Sequence, residues 1–285
     1  MDGTGVPLVT PFTEEGSVDE DALRSLTAWV EDRGIDFLVP CGSTSEAPLL
    51  DDDERERVIA AVAEAADGPV LAGTGKESLA DTLDATERAA EAGADAALVV
   101  TPHYFDYGQD ALAEYYRDVA DESPLPVYLY SVPPYTDVAL DPETVGAVAD
   151  HDNVAGIKDS SGDLARLQRT LDRVPDDFDV LVGNGSVYAP GLDAGAAGGV
   201  LAVANAAPER ASEIYRRHRD GDDEAAREIN RDLVELDSVL GERGIPAVKA
   251  AVRERGQPAG RPRRPFRPLD GDDREAVART VEERT

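Results

Sequence analysis

Lysine is scarce in this chain of 285 residues: only Lys76, Lys158 and Lys249 carry a side-chain amine, and all other fixed positive charge is arginine. The distinction is chemical. Arginine stays protonated and cannot form an imine, whereas a lysine partly stripped of water presents a fraction of free amine to a carbonyl. Lys158 stands in NVAGIKDSSGD, Asn153 to Asp163, where Val154, Ala155 and Ile157 have the character of a short buried strand and Ser160, Ser161 and Gly162 that of the turn after it. A lysine where a strand gives way to a loop suits Schiff-base chemistry. The competing reading is a solvated surface charge.

An imine-forming enzyme also needs proton donors for the departing water and neutral donors for a carboxylate. Ser43 and Thr44 in GSTSEAPLL, His103 and Tyr104 in TPHY, and Tyr130 in PVYLYSVP all follow or end apolar runs. A tyrosine hydroxyl serves as the proton donor, and serine or threonine hydroxyls with nearby backbone N–H groups hold an anion. Taken singly, Tyr130 is by default a core aromatic and Ser43 with Thr44 are turn formers. Their weight comes from convergence around Lys158. Cys41 is the only cysteine, which excludes an intrachain disulfide and a cysteine metal cluster, and we expect a small buried thiol there rather than a nucleophile.

Convergence requires elements that bring strand ends together. Apolar strand patterns fall at Val6 to Pro11, Phe37 to Gly42, Pro69 to Gly75, Ala96 to Pro102, Pro126 to Pro133, the Lys158 stretch, Phe178 to Gly185 and Gly198 to Asn205, each followed by a helical pattern. Asp51 and Glu54 form a capping-box pattern before one of these helices. Eight such units predict a TIM (β/α)8 barrel over residues 1–220, with a helical extension over 221–285 packed on it. The competing doubly wound sheet calls for a glycine-rich turn after the first strand, and here that turn is PFTEEG. GTGKES at Gly73 lacks the spacing of a P-loop. The Arg261, Arg263, Arg264 and Arg267 group reads as a solvated or acid-pairing loop rather than an anion clamp.

Several motifs in the right order carry a resemblance over nearly the whole chain: LVTPF at Leu8, GSTSE at Gly42, GTG at Gly73, TPHY at Thr101, YSVP at Tyr130, GIKDSSGD at Gly156, GNG at Gly183 and IPAVKAA at Ile245. The chain resembles the dihydrodipicolinate synthase and N-acetylneuraminate lyase family of class I aldolases, most of all its 2-keto-3-deoxygluconate aldolases from salt-loving archaea. The resemblance implies a pyruvate-handling lyase with no metal and no organic cofactor, acting on small keto acids and aldehydes as a homotetramer built as a dimer of dimers. It makes Lys158 the Schiff-base lysine, Tyr130 the proton shuttle, and Ser43 and Thr44 the holders of the pyruvate carboxylate. Tyr104 matches a tyrosine that reaches a neighbouring subunit's site, and the Val200 backbone lines the pyruvate pocket.

Departures bear on the substrate. Tyr135 stands where the synthase branch offers an arginine, Ser131 replaces the usual asparagine, and Ser45 replaces the usual glycine. Asp106 and Tyr107 near the mouth suit sugar hydroxyls. The expectation is cleavage of a 2-keto-3-deoxy sugar acid, 2-keto-3-deoxygluconate or its 6-phosphate, to pyruvate and an aldehyde. A 4-hydroxy-tetrahydrodipicolinate synthase, a sugar-acid dehydratase, and a barrel that binds keto acids without turnover are the alternatives.

Charge narrows the partners. With 59 acidic against 28 basic residues the formal net charge is -31, a field that repels nucleic-acid backbones and anionic lipid surfaces. No basic segment precedes an apolar run at the N-terminus, so the expected location is the cytoplasm. Acid excess with few lysines and a single methionine fits a salt-rich cytoplasm, in which salt screens self-repulsion. The protein should therefore lose far-ultraviolet circular dichroism on dialysis to low ionic strength; an unchanged spectrum would refute the halophilic reading.

Overall fold

A computed structural model describes residues 1–285. Strands β1 (Gly3–Val6), β2 (Phe37–Leu38), β3 (Leu71–Gly73), β4 (Ala96–Val100), β5 (Val127–Ser131), β6 (Val154–Asp159), β7 (Asp179–Val182) and β8 (Gly198–Val200) form one parallel sheet. Its order is β2-β1-β8-β7-β6-β5-β4-β3. The two end strands meet through Leu38 N–H to the Pro69 carbonyl and Gly73 N–H to the Pro40 carbonyl, both 2.9 Å, which closes the sheet into the expected TIM barrel.

Helices α1 (Glu20–Glu31), α2 (Asp52–Ala65), α3 (Leu79–Glu91), α4 (Gln109–Glu122), α5 (Pro133–Thr136), α6 (Pro142–Val148), α7 (Leu164–Leu171), α8 (Tyr188–Asp193) and α9 (Pro208–Arg219) follow the strands, and α10 (Asp223–Arg243), α11 (Ile245–Glu254) and α12 (Gly271–Arg284) extend the chain. The capping box at the start of α2 is formed in both directions, Asp51 to the Glu54 N–H and Glu54 to the Asp51 N–H. No helix is long and apolar enough to cross a membrane.

The strands alternate as a barrel requires. Phe37, Leu71, Leu98, Tyr128, Tyr130, Leu181 and Val200 pack together inside, while Val127, Leu129, Ile157, Val180 and Val182 join the layer between barrel and helices. A register shift between β5 and β6 at Val127/Tyr128 aligns Gly156 with Tyr128 and Lys158 with Tyr130. Gly156 is required by that alignment, since a Cβ there would lie 2.6 Å from the Tyr128 ring.

Several strands are shorter than the apolar runs, and β1, expected at Val6 to Pro11, lies instead at Gly3–Val6. β1 ends at Val6, although Leu8 and Val9 are buried beyond it; they lie between Pro7 and Pro11, which lack the N–H a ladder needs, and Asn205 takes over by accepting from Val9 N–H at 3.1 Å and donating to the Pro7 carbonyl at 2.9 Å. After Val200 the run continues as a 3-10 turn, Ala202–Asn205. An apolar run signals burial without specifying strand geometry.

The three C-terminal helices share the outer apolar layer through Leu233, Leu236, Leu240, Val248, Val252, Val277 and Val281. A buried ion pair fastens them to the second-strand loop: Lys249 Nζ lies 2.5 Å from Glu46 Oε1, and both side chains are fully buried. Arg263 N–H donates to Glu46 Oε2 at 2.7 Å, and the Arg263 guanidinium grips both Glu54 oxygens at 2.6 and 2.7 Å, the acid-pairing role anticipated for that arginine. Burial holds Lys249 down to about 8 against the opposing pull of Glu46. Cys41 is buried as expected, and burial pushes its thiol up to about 12.

Removing one member strands the other charge in an apolar interior. Lys249→Met should cost about 3–5 kcal/mol in urea unfolding, and Lys249→Met with Glu46→Gln less than the two singles summed. A single-variant loss below about 1 kcal/mol would contradict the assignment. Native Cys41 should resist iodoacetamide at mildly alkaline pH and react once the chain is unfolded.

Candidate active site

Lys158 and Tyr130 are register partners on adjacent strands, so their side chains emerge from the same face of the barrel. Both are buried, at 4% and 5% exposure, and Lys158 Nζ sits 4.3 Å from the centre of the Tyr130 ring. The ring face stabilises an ammonium there without donating a counter-charge. The other two lysines are committed elsewhere, Lys76 to Asp52 on the surface and Lys249 to Glu46 in the interior, whereas Lys158 pairs with no carboxylate.

The Lys158 amine opens into a cavity of about 360 Å³ at the carboxyl ends of the strands. Ser43, Thr44, Tyr130 and Val200 line it together with Lys158, so five residues scattered over more than half the sequence share one space. Val200 is a buried wall residue, and Tyr135 sits at the rim, 64% exposed. Further parts of the wall come from Ser160, Asn184 and Gly185 after β6 and β7, and from Asp237, Leu240 and Gly241 of α10. Lys158 is the only basic residue of the lining.

The loop bearing Ser43 and Thr44 runs between two non-glycine residues with left-handed backbone, Cys41 at φ 57° and Glu46 at φ 61°. Each such residue costs of order 1–3 kcal/mol and persists only when its surroundings impose it. At one end the Cys41 carbonyl presses so close to Gly73 that a Cβ there would lie 2.0 Å away. At the other, Lys249 and the Arg263 N–H hold Glu46. Ser45 is buried between them and faces away from the cavity: its hydroxyl donates to the Leu8 carbonyl at 2.6 Å and accepts from Gly42 N–H at 3.2 Å. Ser131 also turns outward, accepting from Leu140 N–H at 3.2 Å. Neither replacement alters the pocket wall.

Other anticipated residues lie elsewhere. Tyr104 is 78% exposed, packed edge-on against Phe105, and is not among the cavity residues of its own chain. His103 pairs with Glu77 at 2.9 Å and lines a second, apolar hollow of about 320 Å³ with Pro48, Tyr135, Ile245 and Phe266. Asp106 is exposed and Tyr107 packs on the outer apolar layer, so the expectation that they meet a sugar at the mouth is corrected: β4 ends at Val100 and the following loop carries them away from the cavity. Arg243 pairs with Asp273 at 2.8 Å and does not reach the cavity either.

Asp237 escaped the sequence reading because a polar residue on a long amphipathic helix has no local mark of facing a site. Buried Asn230 is the tether that places it, accepting from Ala189 N–H at 2.9 Å and donating to the Gly185 carbonyl at 2.7 Å. The one group of ligand-type side chains close enough to share an ion, Asp193, His218 and Asp223, is away from the cavity, with Arg227 already on Asp193 at 2.7 Å.

The model of the dihydrodipicolinate synthetase family matches residues 1–284. A DapA-like lyase of Halobacterium salinarum is 41% identical over 281 residues, covering 97% of this chain and 92% of that protein. A 4-hydroxy-tetrahydrodipicolinate synthase of Methanothrix thermoacetophila is 38% identical over 277 residues, 96% of this chain and 93% of its own length. Among solved structures, the dihydrodipicolinate synthase of Thermotoga maritima superimposes with a TM-score of 0.96 at 32% identity, over 100% of this chain and 98% of that one. YagE of Escherichia coli K12, solved in complex with pyruvate, superimposes with a TM-score of 0.95 at 28% identity, over 99% of each chain. The chain belongs to the dihydrodipicolinate synthetase family and is a carbon–carbon lyase of the class I aldolase type.

Proposed function

We propose that the protein is a Schiff-base aldolase that cleaves a 2-keto-3-deoxy sugar acid, of the 2-keto-3-deoxygluconate kind, to pyruvate and an aldehyde. The observation that carries the imine chemistry is Lys158, a buried amine with no counter-ion, opening into a cavity beside Tyr130. The uncharged amine attacks the C2 carbonyl, and water leaves to give the protonated imine. Tyr130 relays the C4 hydroxyl proton as the C3–C4 bond breaks, and that bond's electron pair passes into the imine to form an enamine. The aldehyde departs. Protonation at C3 and hydrolysis then release pyruvate and regenerate Lys158. Ser43 and Thr44 hold the carboxylate of the keto acid, as neutral donors at a strand-end loop are suited to do.

The substrate class rests on Tyr135 at the rim and on a lining without arginine. Aspartate semialdehyde brings a carboxylate, and no fixed cation other than Lys158 is there to receive it. The 4-hydroxy-tetrahydrodipicolinate synthase reading is favoured instead by the names of relatives such as the Methanothrix protein. Exposed Tyr104 and Phe105, with the apolar hollow around Phe266, support a homo-oligomer of the tetrameric kind, in which Tyr104 serves a neighbouring site.

Borohydride added with pyruvate should fix a reduced pyruvyl group on the Lys158 peptide, and Lys158→Arg should abolish it. No adduct on the wild-type chain would leave a binding barrel as the better account. Tyr130→Phe should lower kcat by about 10²–10⁴.

A further inference from the structure

Asp237 is the one carboxylate in the lining of the cavity, and its position is fixed from both sides. Asp237 Oδ2 accepts from the Ser186 hydroxyl at 2.9 Å. Oδ1 lies over Gly185, where a Cβ would come within 2.6 Å of it, so that loop position has no room for a side chain while the carboxylate occupies the space. Only Ser186 donates to the carboxylate, which leaves acceptor sites open, and no lysine or arginine pairs with Asp237. Gly241, one turn further along α10, also lines the cavity, and the space beside it is open. This part of the cavity is therefore walled by an acceptor with spare capacity, beside open space at Gly241.

An ionised carboxylate accepts hydrogen bonds and donates none. It attracts hydroxyl groups and repels carboxylate or phosphate, all the more where desolvation strengthens the field. Burial raises Asp237 above the usual carboxylate range, while its bonds from Ser186 pull the other way. Building on the imine reading above, we infer that Asp237 is a specificity-determining residue: it receives hydroxyls of the aldehyde portion and selects a neutral, polyhydroxylated, unphosphorylated acceptor. The site then divides by charge. Its pyruvate end holds an anion with Ser43, Thr44 and the Lys158 nitrogen, and its other end is closed to a second anion by Asp237. A sugar acid without phosphate meets both demands; its 6-phosphate and the semialdehyde of a dicarboxylic acid fail the second.

The test runs the reaction in the condensing direction, with pyruvate and glyceraldehyde, propionaldehyde, glyceraldehyde 3-phosphate or aspartate semialdehyde as acceptor. The wild type should favour glyceraldehyde over propionaldehyde in kcat/KM by about 10- to 100-fold, the range a hydrogen bond to a charged group supports. It should also favour glyceraldehyde over both anionic acceptors. Asp237→Ala should bring the first ratio close to one, and Asp237→Lys should raise the relative rate with glyceraldehyde 3-phosphate. Borohydride trapping of pyruvate on Lys158 in the same variants reports a folded pyruvate end. Trapping that persists with an unchanged ratio, or a wild type that prefers an anionic acceptor, overturns the assignment of Asp237 while leaving the imine intact. Failure of the wild type to trap pyruvate overturns the imine reading itself.

Discussion

A primary amine buried without a counter-ion is the constraint around which the barrel mouth is arranged. Lys158 reaches that state through register: the shift at Val127/Tyr128 turns Gly156 and Lys158 inward, beside Tyr128 and Tyr130. A slip of one residue would send Ile157 into the cavity and the ammonium into the apolar layer beneath the helices. The Tyr130 ring replaces a carboxylate as the neighbour, so no ion pair engages the nitrogen and it is left open to the cavity. Lys249 shows the opposite solution. It is deeper still, but Glu46 neutralises it, and its role is mechanical.

The two lysines are nevertheless linked through one loop. Glu46 ends the segment that carries Ser43 and Thr44, and its left-handed backbone is held by groups from the C-terminal part of the chain, Lys249 and the Arg263 N–H. Residues 221–285 thus do more than cover the barrel. They fix one end of the strained loop that carries Ser43 and Thr44, and through Asn230 and Asp237 they build part of the cavity wall.

Much of this was legible in the sequence wherever a local pattern coincided with a structural role. The apolar runs and helical patterns located all eight βα units, and the scarcity of lysine singled out Lys158. Ser43, Thr44, Tyr130 and Val200 do share its cavity. What failed were particular readings that depended on the direction a loop takes beyond its strand. Asp106 and Tyr107 follow the same run as Val99 and Val100, yet the loop leaves the mouth after β4. Ser45 and Ser131 looked like changes to the pocket, and both hydroxyls instead tie backbone groups on its far side. A four-residue helix at Pro133–Thr136 was not anticipated within YSVPPYTD, although a proline at its first position is pre-set for helical backbone.

Asp237 marks a deeper limit. Along α10 it is one acid among many in a chain with 59 of them, and neither periodicity nor spacing separates it from the acids that face solvent. The separation is made by where it lies. Surface acids of this protein commonly meet arginine, as Glu64 meets Arg24, Glu143 meets Arg173 and Asp273 meets Arg243. Asp237 is half-buried, meets only Ser186, and faces a cavity whose single basic residue is Lys158. Many acids of this chain have no basic partner, buried Asp159 among them, so the informative carboxylate is the one that lines the cavity of Lys158. It borders the same space as the one lysine left without a carboxylate, and on the proposed reading a single ligand, anionic at one end and hydroxylated at the other, meets both.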